Sequence, residues 1–308
     1  MKNIELNHKD IYDMIKAAGA KYAIVFDTET TGLDEGARIL QIAWTQFDPG
    51  DTPETNHTHA HSVYFDYPGP VIKNPTESIN RINTQEVRDA AEGDGKYHTG
   101  EVWSVDEFPM QWLEDWLNGD CLLIGQNILG FDVRLCRQTL QHLVANNAVN
   151  IDCPRANTLI DRLRIWENGF DFMNDLGQGV VDHCKFYGGR PSVDDIQGLA
   201  MLNIEPKTKQ FDTMFVFNEL VNMDAITKGT HAINKINNLD ATKYMMNTEW
   251  ALNDDGSKKA IEEATKGLHD AANDIVVTEA LAEMVYRATG YNENLTEQVI
   301  THKLKRMM

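Results

Sequence analysis

The stretch that decides the fold is Tyr22–Leu33, which reads Tyr-Ala-Ile-Val-Phe-Asp-Thr-Glu-Thr-Thr-Gly-Leu. Its first five residues form a continuous apolar run with β-branched and aromatic members, which is typical of a strand buried on both faces. Asp27 and Glu29 follow two positions apart, so an extended backbone projects both carboxylates from one side, about 7 Å apart along the chain. Two carboxylates that face one point repel each other unless a cation lies between them, and oxygen ligands of this kind suit Mg²⁺ or Mn²⁺. The stretch therefore predicts a buried strand that ends at a metal site or, in the simpler alternative, in two solvated acids.

Composition places the chain among ordinary globular proteins. It has 308 residues, of which 42% are hydrophobic and 24% charged, and this suits one large domain or one domain with an insertion. The formal net charge of −19 disfavours a sequence-independent DNA coat, because such a surface repels a polyanion. It does not exclude an enzyme that meets nucleic acid through bound cations, which reverse the local charge. We expect a cytoplasmic protein without membrane association, since no apolar run is long enough to span a bilayer.

Cysteine and histidine offer other metal ligands, and neither set indicates a site. The four cysteines contain no CxxC pair, so we expect reduced thiols, mostly in the core. His57, His59 and His61 alternate and would project from one strand face, where imidazoles can bind a transition metal. With no carboxylate or cysteine close by in the sequence, an exposed strand face is the better interpretation.

Three consecutive strands are predicted near the N-terminus. Arg38–Asp48 is a second apolar strand, and residues 57–66 are a third. Because the connections are short, the first three strands should form an antiparallel meander. Farther along, Thr76–Arg88 is predicted to be one helix, Gly93–Gly100 a surface loop, and Cys121–Ile124 a short buried strand.

Two helix starts carry further acids. Asp132 lies in the first turn of the helix after the Cys121 strand, where a carboxylate is favoured by the helix dipole and is ordinarily only a cap. Ala271–Thr289 is the clearest amphipathic helix, with a cap available at Asp270. Asp274 lies near its start and His269 just before it. Five positions of regular helix correspond to about 140° of rotation, so His269 is predicted to lie on the loop ahead of the first turn.

The domain organisation follows from these elements. We predict a single domain over residues 1–308, with a core at about 22–150 and 207–290. Residues 153–206 are predicted to be an insertion of short helical pieces, and residues 291–308 a tail.

The order of these acidic segments resembles a known enzyme family. Phe26–Leu33, Asn127–Asp132 and His269–Asp274 are similar to the three motifs of the DEDDh branch of the 3′-to-5′ exonucleases, a ribonuclease H-like superfamily that includes polymerase proofreading subunits, RNase T and oligoribonuclease. Arg38–Ile42 is similar to the family's second strand, and Ile79–Val87 to the helix after its third. The resemblance implies an α/β fold: a ribonuclease H-like mixed sheet with an antiparallel three-strand meander, flanked by helices and carrying a helical insertion.

Two features depart from the family pattern. The second motif is spaced Asn-x3-Phe-Asp rather than Asn-x2-Phe-Asp, which is similar to the proofreading domains of family B polymerases. The segment 153–206 is also longer than the usual link between the corresponding family elements.

The resemblance implies a chemistry for the acids and the histidine. Two Mg²⁺ or Mn²⁺ ions about 3.5–4 Å apart can activate a water and stabilise the leaving 3′ oxygen. By resemblance, Asp27 bridges both ions, Glu29 and Asp274 complete the site that holds the water, and Asp132 supports the second ion. His269 takes the proton from the water, a task that suits an imidazole at neutral pH.

The resemblance also implies a substrate. Residues expected to contact the terminal nucleotide are Thr28, Thr30, Gly32, Leu33, Phe131 and Asn127. Among them, Leu33 would wedge under the base and Phe131 would stack on it. The implied activity is release of nucleoside monophosphates from the 3′ end of single-stranded DNA, for an enzyme that works alone or with a polymerase or replication partner.

Two alternatives stay open. One is an exoribonuclease on short RNA, because the motifs do not address the 2′-hydroxyl. The other is a nucleic-acid-binding or polymerase-partner module that keeps the fold and has lost the chemistry. All four carboxylates and the histidine are present, which argues against the second alternative.

Overall fold

The computed structural model of the chain describes residues 8–34, 36–49, 61–98, 100–128, 130–146, 148, 151–167, 208–214 and 269–288. Several sequence predictions lie outside these described residues: His57, His59, most of the insertion at 153–206, and the tail at 291–308.

The described residues form one seven-stranded sheet. Its strands are β1 (Tyr22–Thr30), β2 (Ile39–Phe47), β3 (His61–Asp66), β4 (Lys96–Tyr97), β5 (Gly100–Ser104), β6 (Cys121–Gly125) and β7 (Lys209–Asp212). The spatial order is β4-β5-β3-β2-β1-β6-β7. β1, β2 and β3 pair antiparallel, which confirms the predicted meander, whereas β6 runs parallel to β1, and β7 parallel to β6. The described residues thus form the mixed α/β sheet with an antiparallel three-strand meander and flanking helices that the sequence predicted.

Helices cover both faces of this sheet. They are α1 (Lys9–Ala18), α2 (Glu77–Asn80), α3 (Thr84–Glu92), α4 (Gln111–Leu117), α5 (Asp132–Ala145), α6 (residues 153–167) and α7 (Ala271–Ala288). α1 and α7 pack on one face, and α4, α5 and α6 pack on the other.

Among the described helices, none combines the length and the apolar character needed to cross a lipid bilayer.

Strand β1 lies inside the sheet, between β2 and β6, and is apolar on both faces. Ala23 and Val25 pack in the cluster that includes α1 and α7, whereas Ile24 and Phe26 pack in the larger cluster on the other side. All four side chains are at most 1% exposed. The ring of Phe26 lies 4.8 Å from that of Trp112 on α4, centroid to centroid. The buried strand predicted from the sequence is therefore present, and it continues through the acids to Thr30.

The helix predicted at Thr76–Arg88 is wrong in one respect, because the chain breaks it into α2 and α3. Arg81 adopts a left-handed conformation with φ 60°, which ends α2. The side chain of Asn83 then accepts hydrogen bonds from the backbone N–H groups of Gln85 and Glu86, at 3.0 and 3.2 Å. An asparagine that satisfies these free N–H groups is a favoured helix cap, so it starts a new helix.

The loop predicted at Gly93–Gly100 is also wrong, because it contains β4 and the start of β5. Tyr97 is buried, and its ring packs edge-on against Tyr64 at 4.9 Å between centroids. A Cβ at Gly100 would lie 2.7 Å from the backbone oxygen of Ser62. A glycine here lets β5 approach β3 closely, and this structural role is not visible in a Gly-rich sequence.

Helix α6 belongs to the main core although the sequence places it in the predicted insertion. Its buried side chains are Ala156, Leu159, Ile160, Leu163 and Trp166. At its C-terminal end Glu167 accepts hydrogen bonds from Nε of Arg137 on α5, at 2.8 and 2.9 Å. This largely buried ion pair fixes the end of α6 to α5.

The described cysteines are free thiols. Cys121 and Cys136 are buried and Cys153 is partly buried, while Cys184 lies outside the described residues. Burial raises the pKa of the Cys121 thiol well above its usual range, so it stays protonated.

Candidate metal centre

The end of β1 presents Asp27 and Glu29 on the sheet face that α7 covers. In the antiparallel pairing Asp27 lies opposite Ala43, and Glu29 opposite Gln41. Residues directly opposite each other share a face, so both carboxylates lie on the same side as these two residues of β2.

The start of α7 brings a third carboxylate to the same place. Asp270 caps the helix: its Oδ1 accepts a hydrogen bond from the Ala272 N–H at 3.1 Å, and its backbone oxygen accepts one from the Asp274 N–H at 3.0 Å. Asp274 therefore lies in the first turn, with its side chain 6% exposed. One carboxylate oxygen each of Asp27, Glu29 and Asp274 lies within 4.8 Å of the others. Three oxygens at this spacing can surround a single small cation.

Asp132 reaches this edge of the sheet from the other face. It is the first residue of α5, which follows β6, the parallel neighbour of β1. The hydroxyl of Thr28 donates a hydrogen bond to Oδ1 of Asp132 at 2.5 Å. Because Thr28 lies between Asp27 and Glu29 on the strand, its side chain points to the opposite face and fixes Asp132 there.

Burial raises the pKa of Asp27, Glu29 and Asp132, and neighbouring carboxylates raise those of Asp27 and Glu29 further. Burial is the main cause that raises the pKa of Asp27 well above its usual range, and the charges of Asp274, Asp132 and Glu29 raise it further. Burial and then the charge of Asp274 raise the pKa of Glu29 to about 8. Burial raises that of Asp132 to about 7, against the opposing effect of the hydrogen bond from Thr28. A bound divalent cation removes this cost, and a donor set made only of carboxylate oxygens fits Mg²⁺ or Mn²⁺.

His269 lies immediately before the cap of α7, on the loop position predicted from the sequence. It is exposed and adopts a left-handed backbone conformation with φ 69°. This conformation is uncommon for a residue other than glycine, and such strain is often found at functional sites. The amphipathic helix predicted at Ala271–Thr289 is also present as α7, which buries one stripe completely: Ala271, Ile275, Thr278, Ala282 and Val285 are each 0% exposed.

The residues expected to contact a nucleotide lie in different environments. Leu33 is 86% exposed, and a Cβ at Gly32 would have no atom within 4 Å, so the chain around the end of β1 is open. Thr28 and Thr30 are both buried. The Thr28 hydroxyl binds Asp132, and the Thr30 hydroxyl donates to the backbone oxygen of Gly32 at 2.8 Å. A nucleotide at this position would therefore meet the backbone of these two threonines.

Phe131 and Asn127 lie on the β6–α5 loop. Phe131 packs partly against the main core. Asn127 has a left-handed conformation with φ 62°, and its backbone N–H donates a hydrogen bond to Oδ1 of Asp212 at 3.1 Å. The structure therefore gives Asn127 a defined role in shaping the loop that precedes Asp132.

Three sets of residues at the site were not singled out in the sequence. Asp212 and Thr213 at the end of β7 hold the β6–α5 loop: the Asp212 carboxylate accepts a hydrogen bond from the Asn127 N–H, and the single hydroxyl proton of Thr213 is shared between the Gly125 backbone oxygen and Oε1 of Gln126. An acid directly after a buried aromatic residue, in Phe211-Asp212, is a signal that could have identified the first of them.

The other two sets hold the ends of β1 and α7. The side chains of Thr76 and Asn80 donate hydrogen bonds to the backbone oxygen of Thr30, at 2.5 and 3.0 Å. Gln41 of β2 bonds to the start of α7. No sequence pattern marks these residues, because their partners are far away in the chain.

Comparisons with known proteins found likeness only among solved structures. No known protein family and no curated protein matches the sequence. E. coli exonuclease I in complex with a dA16 oligonucleotide is 11% identical with a TM-score of 0.47, over 91% of this chain and 42% of that one. A structure of exonuclease I that addresses processivity is 14% identical with a TM-score of 0.47, over 88% of this chain and 43% of that one. The E. coli enzyme with a dT13 oligonucleotide is 13% identical with a TM-score of 0.47, over 88% and 42%. The chain thus spans less than half the length of the structures that it resembles.

Proposed function

We propose that this protein is a metal-dependent 3′-to-5′ exonuclease that releases nucleoside monophosphates from the 3′ end of single-stranded DNA. The observation that carries the proposal is the convergence of Asp27, Glu29 and Asp274, whose oxygens lie within 4.8 Å of one another. Asp132 is the fourth acid of the proposed set: the Thr28 hydroxyl, between Asp27 and Glu29 on β1, donates a hydrogen bond to its Oδ1, and its charge is among the causes that raise the pKa of Asp27 and Glu29.

In this proposal the four acids would bind two divalent cations. Asp27, Glu29 and Asp274 would hold one ion, and Asp132 together with Asp27 would hold the second. Two bound divalent ions supply an activated water and stabilise the leaving 3′ oxygen of an in-line displacement at phosphorus.

His269 would accept a proton from the attacking water at a ring nitrogen. A neutral imidazole is a suitable base near pH 7. Its place one residue before the cap brings it to the same end of α7 as Asp274.

An exposed apolar residue shortly after the acids in the chain supports the proposed substrate. Leu33 is one of three large hydrophobic side chains that are exposed among the described residues, and it lies four positions after Glu29. An exposed apolar side chain next to a phosphodiester-cleaving centre can support an unpaired terminal base. The backbone of Thr28 to Gly32 would contact the nucleotide, with Phe131 and Asn127 on the facing loop.

The test is cleavage of a single-stranded DNA oligonucleotide labelled at its 5′ end, with Mg²⁺ or with EDTA. A ladder that grows from the unlabelled end, only with Mg²⁺, is expected. Cleavage that persists in EDTA, or that leaves internal breaks, would overturn the proposal.

Variants assign the activity to this site. Asp27→Asn should abolish the ladder, whereas Asp89→Asn, which changes an exposed acid on α3, should leave it intact. A matched RNA oligonucleotide tests the first alternative, since faster cleavage of RNA would identify an exoribonuclease. Oligonucleotide binding that is equal for the wild type and Asp27→Asn, with cleavage by neither, would identify a binding module.

A further inference from the structure

Gln41 is a buried amide at the point where β2 meets β1, β3 and the start of α7. Its side chain is 1% exposed, although it lies in the middle of a strand whose other buried side chains are mostly apolar. In the sheet it lies opposite Glu29 on β1 and opposite Tyr64 on β3. It therefore shares a face with a predicted metal ligand and points toward the start of α7.

Three hydrogen bonds fix this amide. Its Nε2 donates to Oδ1 of Asp270 and to Oγ of Ser62, both at 3.0 Å, and its Oε1 accepts from the Ala271 N–H at 3.2 Å. A backbone N–H can only donate, so the oxygen of the amide must face Ala271 and the nitrogen must face the Asp270 carboxylate. Glutamine thus matches one acceptor and one donor at the helix start, which neither a carboxylate nor an apolar side chain of the same size can do.

The contacted groups determine where α7 begins. Asp270 also caps the helix through the Ala272 N–H, and the Asp274 N–H bonds to the Asp270 backbone oxygen. A shift of Asp270 would therefore move Asp274 and His269 together. No hydrogen bond joins Gln41 directly to either of these two among the described contacts, so any effect of Gln41 on them passes through the helix start.

We propose that Gln41 is a positioning residue that holds the start of α7 against β2 and so sets the distance of Asp274 from Asp27 and Glu29. The inference rests on the proposed function, because it assumes that these three acids bind a cation. Hydrogen-bond partners that orient metal ligands typically change metal affinity or activity about 10–100-fold when they are removed.

The test uses Gln41→Met, which keeps the length of the side chain and removes its hydrogen bonds. Mn²⁺ affinity of the protein without substrate, measured by electron paramagnetic resonance, should fall about 10–100-fold. With an oligonucleotide, kcat should fall while KM stays close to the wild-type value, because the nucleotide contacts are unchanged. Gln46→Met is the matched control: Gln46 lies on the same strand, is exposed, and bonds only to Asp48 among the described contacts.

Hydrogen exchange separates positioning from general packing. In the metal-free Gln41→Met protein, backbone amides at residues 271–275 should exchange faster, with β1 and β6 unchanged. Faster exchange across the whole sheet would overturn the positioning role, as would wild-type Mn²⁺ affinity in Gln41→Met.

A double variant tests the link to the cap. Asp270→Ser retains a side chain that can cap α7 but is too short to meet Gln41. If Gln41 acts through Asp270, the combination of both substitutions should bind Mn²⁺ no more weakly than Gln41→Met alone. Strictly additive losses would overturn this route.

The outcomes also separate this inference from the proposed function. If the wild type does not cleave DNA, the proposed exonuclease activity fails, whereas the Mn²⁺ and exchange measurements still decide the role of Gln41.

Discussion

The first turns of α5 and α7 each carry an acid of the proposed site, and the two acids are held by different kinds of hydrogen bond. Each delivers an acid from its first turn to the end of β1, and they do so from opposite faces of the sheet. α5 has no side-chain cap, and Thr28 bonds directly to the acid, Asp132. α7 is capped by Asp270, and Gln41 bonds to the cap and the backbone rather than to the acid.

Because of this difference, Thr28 influences the ionisation of Asp132, whereas Gln41 influences only the position of Asp274. The Thr28 hydroxyl lowers the pKa of Asp132 against the effect of burial, so it favours the ionised form that a cation requires. Gln41 donates nothing to Asp274 among the described contacts and can act only on where the carboxylate lies. Substitutions at the two helix starts should therefore be distinguishable by their pH dependence.

The largest effect is expected from removing an acid itself. Asp274→Asn keeps the shape of the side chain and removes one anionic ligand, so kcat/KM should fall about 10³-fold or more, which corresponds to ~4 kcal/mol of transition-state stabilisation. Steady-state cleavage of the labelled oligonucleotide measures it. Asp94→Asn, at an exposed turn, is the control, and a loss below tenfold in Asp274→Asn would contradict the proposed ligand set.

A smaller loss is expected from Thr28→Val, which is nearly isosteric and removes the hydrogen bond to Asp132. Activity should fall about 10–100-fold. Because that hydrogen bond lowers the pKa of Asp132, its loss should raise that pKa, and more Mg²⁺ should be needed at pH 6.5 than at pH 8.

The control for this prediction is Thr139→Val, which removes a fully buried hydroxyl from α5, the helix that carries Asp132. An equal loss at both pH values would assign Thr28 a purely steric role.

The third prediction concerns stability rather than activity. Without a cation, the pKa of Glu29 is raised to about 8, and those of Asp132 and Glu279 to about 7, mainly by burial. A carboxyl group with a raised pKa contributes stability below its unfolded pKa, and this is lost as the pH rises through the folded value. The thermal unfolding midpoint in EDTA should therefore decrease as the pH is raised from 5 to 8.

Mg²⁺ should reverse this loss at pH 8, because it binds only the folded arrangement of acids. Differential scanning fluorimetry over this pH range measures both effects. A midpoint that is constant in EDTA, or equally raised by Mg²⁺ in Asp27→Asn, would contradict the explanation.

The smallest effect on activity is expected from Asp212→Asn. Asparagine still accepts a hydrogen bond from the Asn127 N–H, while removal of the charge lowers the pKa of Asp132 slightly. We expect a change of roughly twofold in kcat/KM, or ~0.5 kcal/mol.

Asp212→Leu leaves the Asn127 amide without this acceptor and should cost about 1–3 kcal/mol of unfolding free energy in urea titrations. Equal stability of the two variants would show that the hydrogen bond is unimportant.

The sequence predicted the parts of the site that are local. The apolar run of β1, the meander, the cap at Asp270 and the stripe of α7 follow from periodicity and helix-end preferences within one segment. The resemblance to exonuclease motifs then selected four acids and His269 as one set. In the structure, one carboxylate oxygen each of Asp27, Glu29 and Asp274 lies within 4.8 Å of the others.

The supporting contacts could not be predicted, because they join distant segments. Gln41 and Asp270 are 229 positions apart, and Thr28 and Asp132 are 104 apart. Nothing in an isolated strand indicates that a glutamine will meet a helix start rather than solvent. The break at Arg81 has a different, local cause: the apolar spacing of Thr76–Arg88 favours one continuous helix and outweighs the capping preference of Asn83.

The alternation along β1 has a consequence for how this chain tolerates change. Asp27 and Glu29 project toward α7 while Thr28 between them projects toward α5, so one short segment serves both halves of the centre. Deleting or inserting one residue between Phe26 and Glu29 would exchange the two sides and misdirect every group at once. Natural or engineered length variation should therefore be confined to the connections that follow the strand, and the three-residue core of the first motif should behave as an indivisible unit.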